Sequence, residues 1–156
     1  VESYACAVRD RVLAGLRADG HESVLIDLYA SAYDPYLPLP TRDAELLQTA
    51  SAVVLVYPTW WTSQPAILLA WLEQASATGL PGVRALVSVT TLGGTRVANF
   101  VGGESGRRVV VRAFRPRCVD RPTHRRLALY GMDRSTPEAR VGFLDRVERR
   151  IGTLVR

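Results

Sequence analysis

Ala52-Val53-Val54-Leu55-Val56-Tyr57 is an unbroken apolar run rich in β-branched side chains. A strand of that kind buries both faces, as the strands of parallel sheets do. Pro58 is expected to stop it, because proline donates no backbone hydrogen bond. Pro65 fits the first position of a helix over 65–76, apolar around most of its circumference from Ala66 to Leu72. Gly79 and Pro81 end that helix, and residues 84–90 form a second buried strand. Upstream, Ala5, Val8, Val12, Leu13 and Leu16 share one face of a helix that Asp19-Gly20 terminates. Ser23–Tyr29 reads as a strand. The three prolines within 33–40 mark a loop, and Thr41 is an N-cap for a short helix to Ala50. Downstream, 126–130 reads as a strand ending at Gly131. Thr136-Pro137 opens a last helix with Leu144, Val147, Ile151 and Leu154 on one face. The segment 96–124 is ambiguous: Val109-Val110-Val111 suggests strand, while its arginine-rich flanks suit a helix. Helices and strands alternating at this spacing imply an α/β fold, a doubly wound parallel sheet with helices on both faces.

The 156 residues, 47% apolar and 22% charged, suit one packed domain spanning 1–156. All 20 basic residues are arginines. The lack of lysine excludes a Walker-type phosphate lysine, a Schiff-base lysine and a Ser–Lys nucleophile pair. Cys6, Cys118, His21 and His124 are too scattered for a zinc motif or a disulfide framework. The longest apolar stretch, Ala66–Leu72, is too short to span a bilayer, and no segment resembles a signal peptide. A cytoplasmic protein without membrane attachment is expected.

Ligands of open parallel sheets bind beyond the carboxyl ends of the strands, and three unusual segments fall at such positions. Val1-Glu2-Ser3-Tyr4 precedes the first helix, whose free N–H groups and dipole attract phosphate; the alternative is that Ser3 is simply an N-cap. Pro58-Thr59-Trp60-Trp61-Thr62 joins a buried strand to a buried helix. Two adjacent loop tryptophans cannot both point into one core, so at least one is expected to line a flat apolar site. Thr91-Leu92-Gly93-Gly94-Thr95 follows the next strand, and its paired glycines either let a ligand approach the backbone or make an ordinary tight turn.

The stretch from Tyr57 to Leu68, with its Trp-Trp-x-x-x-Pro-Ala-Ile-Leu core, resembles the flavin-contacting loop and following helix of the NAD(P)H:quinone oxidoreductase (diaphorase) family of flavodoxin-like flavoproteins. Ser3-Tyr4 is similar to the end of that family's phosphate loop. Gly20-His21-Glu22, Asp27–Ala30 and Asp34-Pro35 resemble its second strand and following loop. Thr90–Gly94 resembles its Thr-Thr-Gly-Gly loop with one residue inserted, and Thr136–Arg140 a segment that opens its late helix. The resemblance implies a five-stranded three-layer α/β/α sheet in flavodoxin order, bound FMN or FAD, and a homodimer with the site near its interface. It also implies hydride transfer from NAD(P)H to flavin and on to a small-molecule electron acceptor, a quinone or similar compound. Flavin binding would then fall to Ser3, Tyr4, Pro58, Thr59, Trp60, Trp61, Thr62, Thr91, Leu92, Gly93, Gly94 and Arg140. The cofactor carries the redox chemistry, so no catalytic acid need appear.

The sequence departs from the family pattern twice. The family's opening strand, central in flavodoxin order, has no counterpart before Ser3. This predicts a fragment lacking its first residues, one that folds poorly or binds flavin weakly. The Tyr and His that assist hydride transfer in the family are replaced by Arg96-Val97-Ala98-Asn99-Phe100. His124, in an arginine-rich stretch, reads as a surface residue.

Eight arginines lie between Arg107 and Arg126, opposed only by Asp120. They read as a solvated helix face, as a surface for NADPH phosphates, or as a patch for nucleic acid or another anionic partner. No recognition motif accompanies them and only Phe114 offers an aromatic platform, which argues against nucleic acid. Two rivals to the enzyme reading are an electron-transfer flavodoxin, though such proteins tend to be acidic and this chain is basic, and an anionic-partner binding domain without catalysis.

Overall fold

The computed structural model describes residues 3–118 and 121–156. Three parallel strands form one sheet in the order β1 (Ala52–Thr59), β2 (Ala85–Leu92), β3 (His124–Tyr130). The central strand β2 is buried along nearly its whole length. Side chains alternate between the two faces. Val87 and Val89 of β2 with Leu127 and Leu129 of β3 meet α1 (Tyr4–Ala18) and α6 (Pro137–Leu154) on one face. Val53, Leu55 and Tyr57 of β1 with Leu86 of β2 meet α2 (Thr41–Thr49), α3 (Ala66–Thr78), Val110 and Phe114 on the other. The result is the three-layer arrangement expected of the sequence, around a reduced sheet.

The helices on the first face run side by side in the same direction. Tyr4 Oη donates to the Arg140 carbonyl at 2.8 Å near their starts, and His21 Nε2 lies 3.1 Å from the Gly152 carbonyl near their ends. They touch closely at Gly15, where a Cβ would collide with the Glu148 carbonyl oxygen. Gly20, at φ 78°, lets the chain leave α1, while the His21 amide donates to the Leu16 carbonyl. Thr136 caps α6 by accepting from the Ala139 amide, with Pro137 at the first position.

Several expectations are corrected. The span 23–29 is not a strand. Ile26 and Leu28 still pack on the core, but among the described residues no strand lies alongside to bond to, and extended backbone without a ladder is not a strand. Asp27 Oδ1 then accepts from the amides of Tyr29 and Ala30, turning the chain. Among the described residues the sheet therefore has three strands, where the family's five less the opening strand would leave four. Pro58 does not stop β1, which continues through it to Thr59 in register with Leu92; on an outer strand a missing donor is tolerated. Strand β2 likewise runs on to Leu92, so Thr91 and Leu92 belong to it. Pro40, not Thr41, occupies the N-cap of α2, and Pro65 stands one residue before α3.

The ambiguous segment is helical: α4 (Arg96–Val101), then α5 (Ser105–Val109), which widens into a π-helical turn over Val110–Phe114 and tightens to a 3₁₀ turn over Arg115–Arg117. Val110 and Phe114 are fully buried against α3 and the sheet. The valines that suggested a strand thus include a helical contact with the core. Among the described residues, no helix is long and apolar enough to cross a membrane, and no cluster of side chains is suited to a metal ion.

Candidate functional site

The loops after β1 and β2 meet beyond the carboxyl end of the sheet and enclose a cleft of about 440 Å³. Thr59, Trp61 and Thr62 form one wall; Leu92, Gly93 and Gly94 form another; Asn99 and Asp133 complete it. The walls are joined at the base by a 2.7 Å hydrogen bond between the hydroxyls of Thr59 and Thr90. The Gly131 amide donates to the Gly94 carbonyl at 3.0 Å, tying the paired-glycine loop to the end of β3.

The tryptophan wall is a tight turn. Trp60 and Ser63 exchange both backbone hydrogen bonds, at 2.9 and 2.8 Å, across Trp61 and Thr62. Both residues between them have positive φ, 47° and 65°. For side chains other than glycine such backbone costs about 1–2 kcal/mol per residue, so the surroundings must impose it. Trp61 is 96% exposed and Trp60 62%. Neither indole packs beneath a neighbouring loop, and Trp61 is among the residues that border the cleft.

The glycine wall presents bare backbone to the cleft. A Cβ on Gly93 would collide with the Asp133 carboxylate, and one on Gly94 would press on the Asn99 side-chain amide at 3.0 Å. Asn99 is itself buried, its Nδ2 donating to the Thr95 carbonyl at 2.9 Å. Thr95 caps α4 through the Ala98 amide.

The remaining expected residues stand at the same end of the fold without lining the cleft. Ser3 caps α1, its hydroxyl accepting from the Cys6 amide at 3.4 Å, while Val1 and Glu2 lie outside the described residues. Burial is the main influence raising the Tyr4 phenol above its ordinary pKa. Arg140 Nε donates to Ser135 Oγ at 2.9 Å and its Nη2 to the Met132 carbonyl at 3.3 Å. It thereby braces the turn that carries Asp133. Pro58 and Thr91 are paired in the ladder behind the cleft. Asn99 and Asp133 were not anticipated. Asp133 could have been found by the strand-end rule, since it follows β3 by three residues.

The arginine run divides. Arg125 and Arg126, consecutive on β3, point to opposite faces of the sheet. Arg125 Nη1 donates to the Leu154 carbonyl at the end of α6 at 2.9 Å, and Arg126 pairs with Glu104 at 2.9 Å. Arg115 Nε donates to the Arg121 carbonyl. Arg117 lies beside Leu80, near the amino end of β2 and away from the cleft. None of the eight arginines is among the residues that line the cleft, and Asp120 lies outside the described residues. His124 is not a surface residue. It opens β3 at the end opposite the cleft, partly buried, with Nε2 at 2.9 Å from the buried Ser88 hydroxyl. Burial, with Arg126, Arg107 and Arg115 adding to it, pushes its pKa down to about 4.

The family Flavodoxin_2, described as a flavodoxin-like fold, matches residues 2–107. Solved structures agree on the fold. The Smu.1420 protein from Streptococcus mutans UA159 superposes with a TM-score of 0.82 at 18% identity, over 97% of this chain and 93% of that one. NAD(P)H:quinone oxidoreductase from Methanothermobacter marburgensis gives 0.78 at 21%, over 99% and 92%. An FMN-dependent NADH-azoreductase from Bacillus anthracis, solved in complex with FMN, gives 0.65 at 16%, over 99% and 92%. No curated protein matches the chain in sequence.

Proposed function

Because the chain belongs to the Flavodoxin_2 family of flavodoxin-like folds, we propose that it is a flavin-dependent NAD(P)H oxidoreductase that delivers two electrons to a quinone, an azo compound or a similar small acceptor. The observation that carries this reading is the meeting of the Trp61–Thr62 turn with Gly93-Gly94 across one cleft at adjacent strand ends. A planar, largely apolar ring suits an exposed indole on one side. A backbone stripped of Cβ atoms suits its close approach on the other. FMN is favoured over FAD by the FMN-bound azoreductase that shares the fold.

In this reading Thr59, Trp61 and Thr62 hold one side of the ring, and Gly93 and Gly94 the other. Ser3, at the start of α1, offers a hydroxyl and helix amides to a phosphate, and Arg140 keeps the neighbouring turn in place. When bound, flavin accepts a hydride and passes electrons on. The chain binds and orients, excludes water, and offers backbone N–H groups where negative charge develops. Asp133 takes an O–H or N–H donor at the mouth of the cleft. His124 has no part, because it lies six residues from Tyr130 along β3, roughly 20 Å at strand rise.

Val97, Phe100 and Val101 of α4 are largely exposed beside the cleft. With Trp60 they supply an apolar rim, which supports a homodimer closed over the site. A cytoplasmic location belongs to the same reading. The test is direct. Purified protein is mixed with FMN or FAD, passed over a desalting column and scanned for flavin absorbance. NADH and NADPH oxidation is then followed with a quinone and an azo dye. Retained flavin with acceptor-dependent oxidation is expected. A well-folded protein that retains neither flavin overturns the proposal, and flavin retention without oxidation of either nucleotide leaves the electron-transfer rival.

A further inference from the structure

Glu104 stands between α4 and α5 in the left-handed backbone region, at φ 44° and ψ 47°. A glutamate stays there only where its surroundings over-determine it. Its carboxylate is engaged on both oxygens: Oε1 accepts from Arg126 Nη1 at 2.9 Å, and Oε2 lies 3.4 Å from Arg107 Nη1. The Arg126 side chain, only 16% exposed, projects from β3, so this pair roots the α4–α5 junction in the sheet. Arg107 is mostly in solvent and adds little.

The two residues after Glu104 clasp the tryptophan turn. Ser105 Oγ lies 2.8 Å from Thr62 Oγ1, and the Gly106 amide donates to the Thr62 carbonyl at 2.8 Å. The buried Gln64 closes the clasp by donating from Nε2 to the Gly106 carbonyl at 2.8 Å. Gly106 has little room for a side chain, since a Cβ would press on Gln64 Oε1, Ser63 Cα and the Thr62 carbonyl oxygen at 3.2–3.3 Å. A continuous path of contacts therefore leads from β3 through one ion pair to the strained turn at the cleft.

We propose that Glu104 is a positioning residue: its carboxylate, anchored on Arg126, sets Ser105 and Gly106 so that they hold the Trp61–Thr62 turn closed. The consequence for flavin rests on the function proposed above; the clasp itself does not. Removing the carboxylate releases the junction, and the turn then relaxes away from positive φ.

Hydrogen exchange on the purified chain tests this, with FMN titration as a second readout. Glu104→Gly keeps the left-handed backbone at no steric cost but leaves Arg126 without its carboxylate. Glu104→Gly combined with Arg126→Met removes that unpaired charge as well, so stability is retained while the anchor is lost. The double variant should melt like the parent, exchange its Ser63 and Gly106 amides at least about tenfold faster, and bind FMN about tenfold more weakly, the scale of one charge-assisted hydrogen bond. Glu104→Gln, which keeps the side-chain length without the charge, should give intermediate exchange and serves if the double variant fails to fold. Arg107→Gln should match the parent in both readouts. Parent-like protection of Ser63 and Gly106 in the double variant, or in Glu104→Gln should the double variant not fold, overturns the role, as does equal loosening by Arg107→Gln. If the parent takes up no FMN while the exchange result holds, the flavin reading fails and the positioning role stands.

Discussion

The Asp133 carboxylate occupies the space that a side chain on Gly93 would need: a Cβ on Gly93 would fall 2.5 Å from Asp133 Oδ2. The two residues come from turns after different strands, β2 and β3, yet they define one corner of the cleft. Asp133 is exposed and its carboxylate is the mobile end of a short side chain. Gly93→Ala should therefore cost little stability, within about 0.5 kcal/mol by thermal melting. The displaced carboxylate and the added methyl should nonetheless crowd the cleft. Flavin affinity, by fluorescence titration, is expected to fall about tenfold, and unchanged affinity would remove Gly93 from the site.

Trp61 separates stability from binding with opposite signs. Its indole is almost wholly in water while its backbone sits at φ 47°. Trp61→Gly should relieve the backbone and stabilise the chain by about 0.5–1 kcal/mol. It should also weaken flavin binding roughly tenfold, by removing an aromatic face. Parallel melting curves and titrations would record the two effects on one protein.

Gly15 carries the contact between α1 and α6. A Cβ there would collide with the Glu148 backbone carbonyl and lie 2.6 Å from Ile151 Cγ2. Backbone cannot swing aside as a side chain can. Gly15→Ala should thus separate the helices and destabilise the fold by about 1–3 kcal/mol in urea unfolding. Gly142, on α6 with no neighbour where a Cβ would stand, is the control. Gly142→Ala should stabilise α6 by about 0.5–1 kcal/mol.

His124 makes stability depend on pH. Its pKa is lowered from 6.5 to about 4, so the unfolded chain binds the proton more readily than the folded one. The stability this represents is present above pH 6.5 and is lost as pH falls toward 4. Allowing for its partial exposure, the loss is about 1–2 kcal/mol. Denaturant titrations at pH 7 and pH 4.5 should show it, and His124→Asn should flatten that part of the profile.

Much of the fold is legible in local pattern. The β-branched run at Val53–Val56 gives β1, and the cap pairs Asp19-Gly20 and Thr136-Pro137 mark the end of α1 and the start of α6. What escapes is whatever depends on a partner. Ser23–Tyr29 has strand composition, but strand formation needs a neighbour that its own residues cannot specify. Val109–Val111 is β-branched, yet the demand to bury Val110 and Phe114 against α3 overrides propensity. The two tryptophans and two glycines pointed toward the candidate site because their chemistry is unusual in loops. Asn99, Asp133 and Glu104 did not, because ordinary polar residues acquire meaning only from what stands opposite them.

Folding alone bends Trp61 and Thr62 into the left-handed region and turns one indole toward bulk water. A flat molecule arriving there meets a shelf already shaped. Its capture would consist mainly of stripping hydration from that surface, so the association rate should track solvent viscosity more closely than any slow rearrangement of the chain.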